Sequence, residues 1–333
     1  MAESNARRIE SLWYGHSKLA WLLLPLSLLY WLISGLHRWC YSAGVFKRYR
    51  SPVPVVVVGN VTAGGAGKTP VVIWLARQLQ ASGLRPGIIS RGYGGERDVD
   101  VMPVDADSDP QVAGDEPVLI ARSTGFPVQV GADRRAAIEA LLIRTDIDVI
   151  VSDDGLQHYA LERDAELVVV DGERLLGNGF LLPAGPLRES ATKLQAADAV
   201  VFNGGEEAAN RFELIPGPLV NLSTGEQRSL ESFSGVTVAA LAGIGNPQRF
   251  YSLLTGAGLQ VQPVPADDHQ RIPLNALPSD HPVLMTEKDA VKYQPGSEPL
   301  QPENLWYLPV RAVFKREEEQ ALVMKIRSLL RTD

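Results

Sequence analysis

Cysteine is nearly absent from this sequence: its 333 residues include one, Cys40. A single thiol cannot form an intramolecular disulfide, so a disulfide-stapled fold is excluded and a reducing compartment fits. The five histidines are scattered, and no Cys/His cluster has zinc-ligand spacing. Positive charge is also in deficit. The formal net charge is −7, so the overall electrostatics give no case for a nucleic-acid partner. There is no internal repeat, no low-complexity tract, and no feature that calls for an obligate protein partner. Apolar residues, in contrast, make up 45% of the chain, enough at this length for two domains with substantial cores.

One long hydrophobic run is present. Residues 19–36, LAWLLLPLSLLYWLISGL, carry no charge. Arg7, Arg8 and Lys18 precede the run, and Arg38, Lys47, Arg48 and Arg50 follow it. Trp13, Tyr14, Trp21, Tyr30, Trp31, Trp39 and Tyr41 bracket or punctuate it. Aromatics at headgroup depth and cations at an anionic leaflet are the composition of a membrane interface. A spanning helix needs about 20 apolar residues, so length leaves spanning and lying in one leaflet both open. The excess of cations after the run places the rest of the chain on the cytoplasmic side. No clear small-x-small site follows it, and cleavage would export a nucleotide domain, against a signal peptide. The lack of a polar stripe argues against a core helix.

The remainder alternates strand and helix patterns. Residues 53–58 are continuously apolar, as in a buried parallel strand. Residues 70–82 read as a helix with Val72, Ile73, Leu75, Ala76 and Leu79 on one face. Strands are expected at 87–90, 127–130, 147–152, 166–171 and 199–202, the last closing the set. Helices are expected at 116–123 and 133–144. Residues 98–114 read as an acidic loop, and 172–190 are too rich in Gly and Pro for a regular element. This predicts an α/β, P-loop NTPase-like fold, a mostly parallel sheet with helices on both faces. A smaller α/β unit is expected from 216, with strands at 236–242 and 283–285. Its helices are expected at 248–255, from TEKDAVK onward, and at 315–330. The expected division is a membrane-associated segment 1–50, a core domain 51–215 and a C-terminal domain 216–333.

The stretch GNVTAGGAGKTP, residues 59–70, follows the first strand. A phosphate loop reads G-x-x-x-x-G-K-[ST], and the first glycine would fall at position 62, which is Thr62. Gly64, Gly65 and Gly67, with Ala66 between them, let successive N–H groups turn inward around an anion. Lys68 would then reach the β- and γ-phosphates, and the Thr69 hydroxyl would bind Mg²⁺. Further on, the apolar strand in DVIVSDDGLQH ends in Asp153 and Asp154, matching a Walker B carboxylate. Gln157 and His158 lie one turn beyond.

GDEP, residues 114–117, has two readings. Asp115 suits a helix N-cap, and it also suits a base that takes the proton of an attacking hydroxyl. ADDHQR, residues 266–271, sets His269 beside two acids. Arg91, Arg134 and Arg188 sit beside turn or strand-end glycines, where anion binding is plausible.

Taken in order, VVVVGNVTAGGAGKTP, SRGYGG, GDEP, GADR, SDDGLQH and LLPAGPLRE resemble the tetraacyldisaccharide 4'-kinases of Gram-negative bacteria. The resemblance takes in the apolar N-terminal run and the DDH and TEKD stretches, and so covers nearly the whole chain. Thr62 in place of glycine belongs to that family's own pattern, and it counts with Gly64, Gly65, Ala66, Gly67, Lys68 and Thr69 among the residues implied to hold the nucleotide. The resemblance implies ATP and Mg²⁺ as cofactors and an acylated disaccharide 1-phosphate as acceptor, phosphorylated at its 4'-hydroxyl to give lipid IV-A. It implies work at the membrane lipid surface, on the cytoplasmic face of the inner membrane, anchored by the N-terminal segment. Asp115 would be the base and His269 its orienting partner, and Lys68 would hold the phosphates. Thr69, Glu116 and Asp154 would serve the metal, with Asp153 and Gln157 close by. Arg91, Arg134 and Arg188 would contact ATP or the acceptor's anionic group. The alternative from another class is a membrane-associated deviant P-loop ATPase switch, which would not need a base at Asp115. A guanine reader would carry N-K-x-D, and TEKD places its lysine one position late.

Overall fold

The computed structural model describes residues 9–15, 17–205, 209–293 and 303–330. Arg7 and Arg8 of the basic flank lie outside the described residues. Helix α1 (Leu19–Ser42) carries the apolar run. The first lobe follows with β1 (Val55–Gly59), α2 (Lys68–Ala81), β2 (Pro86–Ser90), β3 (Val101–Val104), α3 (Asp115–Thr124), β4 (Val128–Gly131) and α4 (Arg134–Arg144). It continues with β5 (Val149–Asp153), β6 (Ala165–Asp171), β7 (Ala199–Asn203) and β8 (Arg211–Pro216). The second lobe has β9 (Leu219–Asn221), β10 (Gln227–Arg228), β11 (Thr237–Leu241), α5 (Pro247–Gly256), β12 (Gln260–Val264), β13 (Val283–Thr286) and β14 (Leu305–Leu308). Strand β15 (Val310–Phe314) and helix α6 (Arg316–Leu329) end the chain.

The larger sheet has nine strands in the order β15-β8-β7-β6-β1-β5-β2-β4-β3. Only the edge strands, β3 against β4 and β15 against β8, run antiparallel. Strand β1 is buried along its length between β5 and β6. Val56 and Val58 enter the apolar layer on one face, Val55 and Val57 that on the other. Burial on both faces is why four valines run without polar alternation. Helix α2 covers one face with Val71, Val72, Leu75, Ala76 and Leu79, all fully buried. The smaller sheet has six strands, β10-β9-β14-β13-β11-β12, with its own apolar layer on each face.

The structure departs from the sequence expectation at several places. The acidic stretch 98–114 contains β3, paired antiparallel with β4. Strand β7 does not close the set, since β8 pairs beside it and β15 beside that. The division at 216 therefore fails at the far end: residues 310–329 return to the first lobe. Without β15, β8 would be an open sheet edge. Phe314 packs on Trp74 at 4.3 Å, and Leu322 and Ile326 enter the core around α2. TEKDAVK gives only a four-residue helix at Glu287–Ala290.

Helix α1 is not a separate unit either. One side of it lies on the irregular segment 180–189: Trp21 meets Phe180 edge-on at 5.6 Å, and Ser27 Oγ donates to Leu181 O at 2.8 Å. Its other side leaves Leu22, Leu26, Leu29, Trp31, Ile33 and Leu36 exposed.

Candidate active site

The C-terminal ends of β1, β2 and β5 gather most of the residues singled out in the sequence, as open parallel sheets do. Gly67, at φ 90°, turns the chain into α2, and a Cβ there would stand 2.6 Å from Asn203 Nδ2. Asn203 Nδ2 in turn donates to Ala66 O at 3.2 Å. Lys68 Nζ donates to Asn60 Oδ1 at 3.2 Å and lies 3.6 Å from Asp154 Oδ1. Arg188 Nη1 reaches the same acid at 3.2 Å. Asp154 stands in the left-handed region at φ 47°, a conformation few residues other than glycine adopt. Burial would push its carboxyl up, but Lys68 and Arg188 outweigh this and hold it below its ordinary value. Gln157 Nε2 donates to Asn60 O at 3.2 Å.

Asn60 was not singled out from sequence, yet it organises this corner. Its amide donates to Thr62 O at 2.6 Å and to Gly64 O at 3.3 Å, while its oxygen faces Lys68 and Arg188. In sequence it is one more turn-forming asparagine.

Asp153 is fully buried beside this group. Ser90 Oγ donates to its Oδ2 at 3.1 Å, while Oδ1 has no hydrogen-bond partner. Burial first, then the charges of Glu116 and Asp154, push its carboxyl up to about 7. A buried carboxyl oxygen left without a partner, near two more acids, is a donor set suited to a hard divalent cation. Thr69, also expected from sequence to serve the metal, is buried at the start of α2. These residues fit Mg²⁺.

The second half of the site joins the lobes. His269 Nδ1, from the loop after β12, lies 2.9 Å from Asp115 Oδ1 at the start of α3. His269 has φ 65°, and Tyr93 lies edge-on to its ring at 5.2 Å. Lys288 lies 2.9 Å from both Glu116 Oε1 and Asp268 Oδ1, and 3.9 Å from Asp115 Oδ2. Lys292 is 3.9 Å from Asp115 Oδ2 as well. Asp115, Asp268 and His269 come close enough to ligate a cation, but Lys288 already supplies a positive charge there. Both lysines belong to TEKDAVK, where comparison with a guanine motif hid their role. Asp289 holds that turn, accepting from Thr286 Oγ1 at 2.6 Å, Lys292 Nζ at 2.7 Å and Gly243 N at 2.9 Å. A cavity of about 240 Å³ opens beside the pair, lined by Gly94, Gln111, Asp115, His269, Arg271 and Lys292.

Burial alone would raise the Asp115 carboxyl. The His269 hydrogen bond and the Lys288 charge hold it below its ordinary 3.8. The same hydrogen bond lifts His269 above its ordinary 6.5, against burial. The signs fix a window. The raised imidazole stabilises the fold below 6.5 and loses this as pH rises through its folded value. The lowered carboxyl stabilises it above 3.8 and loses this as pH falls through its own. The pair therefore contributes fully between those ordinary values. NMR titration of His269 is expected to give a midpoint above 6.5 that drops in Asp115→Asn; an unchanged midpoint would contradict the pairing.

The arginines separate. Arg188 faces Lys68 and Asp154, and Arg91 is exposed just past β2. Arg134 opens α4 and is buried at 2% exposure. It donates to Gly131 O at 2.6 Å and lies against Asp153 O at 3.4 Å, behind the acidic strand end. Burial pulls its guanidinium down to about 10, so it stays charged at neutral pH. Burial, with Arg134 and Arg163, lowers His158 to about 4 and keeps it neutral. Across the lobes, Gly245 stacks on Gly65 so closely that a Cβ at Gly245 would lie 2.3 Å from Gly65 N. The phosphate loop thus touches the second lobe directly.

A parallel sheet ending in a glycine-rich loop with Lys68-Thr69, a strand-end acid pair and an apposed carboxylate–imidazole pair define a P-loop phosphotransferase. The profile of the family described as tetraacyldisaccharide-1-P 4'-kinase matches residues 19–330. The chain is 48% identical to the tetraacyldisaccharide 4'-kinase of Actinobacillus succinogenes, over 95% of this chain and 98% of that one. It is 49% identical to that of Haemophilus influenzae, over 92% and 93%. The crystal structure of LpxK from Aquifex aeolicus in complex with ATP superposes with a TM-score of 0.75 at 29% identity, covering 94% of this chain and 100% of that one. The chain belongs to the tetraacyldisaccharide 4'-kinase family.

Proposed function

We propose that this protein transfers the γ-phosphoryl group of ATP to the 4'-hydroxyl of a tetraacyldisaccharide 1-phosphate, giving lipid IV-A, at the cytoplasmic face of the inner membrane. The observation that carries this reading is the Asp115–His269 contact at 2.9 Å, which Lys288 joins to Glu116, an acid whose charge acts on Asp153 as that of Lys68 in the phosphate loop does. A sugar hydroxyl is a weak nucleophile and needs a placed base. An ATPase switch, which needs only to position a water, would not need a base such as Asp115.

In this reading Asp115 accepts the hydroxyl proton, and His269 orients the carboxylate while spreading the incoming charge. Lys68 and Arg188 leave their pairing with Asp154 to face the phosphates, offsetting charge on the transferred group. Thr69, Glu116, Asp153 and Asp154 would hold Mg²⁺, which supplies further positive charge at the phosphate oxygens. Arg91 is placed to meet an anionic group of ATP or acceptor, and Arg134 acts from behind, holding the Asp153 backbone. Gln157 braces Asn60 and thereby the loop.

Helix α1 supplies the membrane contact. Its midpoint residues Ser27 and Tyr30 bond to the domain. A spanning orientation would carry these partners to the bilayer centre, where unpaired loop backbone is costly. The exposed apolar side favours lying in one leaflet. Purified protein given labelled ATP, Mg²⁺ and a tetraacyldisaccharide 1-phosphate in mixed micelles is expected to yield labelled glycolipid. Lipid-independent phosphate release without labelled glycolipid would point to the switch instead.

A further inference from the structure

We infer that helix α1 braces the nucleotide site from behind as well as meeting the membrane, with Tyr30 and Arg38 as positioning residues that set Arg188. The inference rests on the proposed role of Arg188 at the phosphates.

The geometry runs through four residues, 186–189. On one side they are joined to the start of the phosphate loop. Arg188 N donates to Val61 O at 2.7 Å, Ala63 N donates to Pro186 O at 2.7 Å, and Thr62 forms an antiparallel bridge with Leu187. On the other side they are held by α1. Tyr30 OH donates to Arg188 O at 2.9 Å, and Arg38 Nη1 donates to Glu189 Oε2 at 2.7 Å. Glu189 is 5% exposed and also accepts from Tyr159 OH. So the Arg188 N–H is fixed by the phosphate loop, its C=O by the membrane helix, and its guanidinium points at Asp154 and Asn60.

This segment has no regular secondary structure to hold it. Leu187 bonds within the segment's own turn, to Phe180 O and from Leu182 N, but the backbone of Arg188 takes its partners from the two elements it separates. A small shift of α1 against the domain therefore moves Arg188, and misplacement near 1 Å can lower a rate by about 10²-fold. The same helix turns Leu22, Leu29, Ile33 and Leu36 outward. Contact with an apolar lipid surface and the placement of Arg188 are thus borne by one element. The polar contacts with residues 188 and 189 lie on its domain side, so removing them leaves the lipid-facing side untouched.

The test uses the full chain and vesicles of phosphatidylethanolamine and phosphatidylglycerol. Tyr30→Phe with Arg38→Gln is expected to lower kcat about tenfold. KM for ATP and the extent of vesicle co-sedimentation are each expected to move less than about threefold, since Arg38 is already paired to Glu189 and Tyr30 to a backbone carbonyl. Arg38→Lys should recover part of the loss. In an Arg188→Lys background the same pair of changes should cost less than about twofold, because coupled residues do not add. An equal tenfold loss in both backgrounds, or a kcat within twofold of the parent, would overturn the inference. If Arg188→Lys alone keeps the parent kcat, the assignment of Arg188 to the phosphates falls first and takes this relay with it.

Discussion

Asp115→Asn is expected to lower phosphoryl transfer to the acceptor by about 10²–10⁴-fold, the range general-base catalysis supplies. Asn keeps the size of the side chain and a hydrogen bond to His269, but its amide cannot accept the hydroxyl proton. The local fold has reasons to survive. Lys288 retains Glu116 and Asp268, and Lys292 retains Asp289 at 2.7 Å. ATP affinity is therefore expected to change by less than about threefold, so the loss falls in kcat rather than in nucleotide binding. The pH profile adds a sign. Because Asp115 is held below its ordinary value, the acid limb of the parent enzyme should lie low, with activity lost only as pH falls through the carboxyl's folded value. Labelled-lipid formation by Asp115→Asn within about tenfold of the parent would remove Asp115 from the role of base.

How much of this was legible in the sequence differs from one element to the next. Strand β1 and helix α2 were readable because double-sided burial leaves an unbroken apolar run and one-sided burial a helical stripe. Asp153, Asp154 and Lys68 were readable because strand-end acids and a glycine-rich turn have few other uses together. Strand β15 was not, since the need for it arises from β8, nearly a hundred residues earlier in the chain. The same holds for Asn60, Lys288 and Lys292, whose roles depend on partners brought in by folding. The burial of Arg134 at the start of α4 was not legible, because folding brings in the acidic strand end that compensates it. Pairing His269 with Asp115 came from family resemblance, as no spacing rule links residues 154 positions apart.

The phosphate loop separates two substitutions that look alike in sequence. Lys68→Met is expected to lower transfer by about 10³-fold or more, with weaker ATP binding, because the cation acts where charge develops on the phosphoryl group. Its side chain is 13% exposed and faces Asp154 at 3.6 Å, so the methionine fits the space but leaves the acid with Arg188 alone. Thr62→Gly, which restores the usual first glycine of such loops, is expected to leave kcat within about threefold. Glycine is required there only if the backbone must take a positive φ, and Thr62 does not. It is extended, bridged to Leu187, and its carbonyl accepts from Asn60. The glycines that the turn does need come later, at Gly64 with φ 105° and Gly67 with φ 90°. Gly67→Ala should therefore behave like Lys68→Met rather than like Thr62→Gly, since its Cβ would meet Asn203 at 2.6 Å. Steady-state kinetics on the three variants orders them. A Thr62→Gly loss as large as that of Lys68→Met would mean that the loop's opening residues hold phosphate directly.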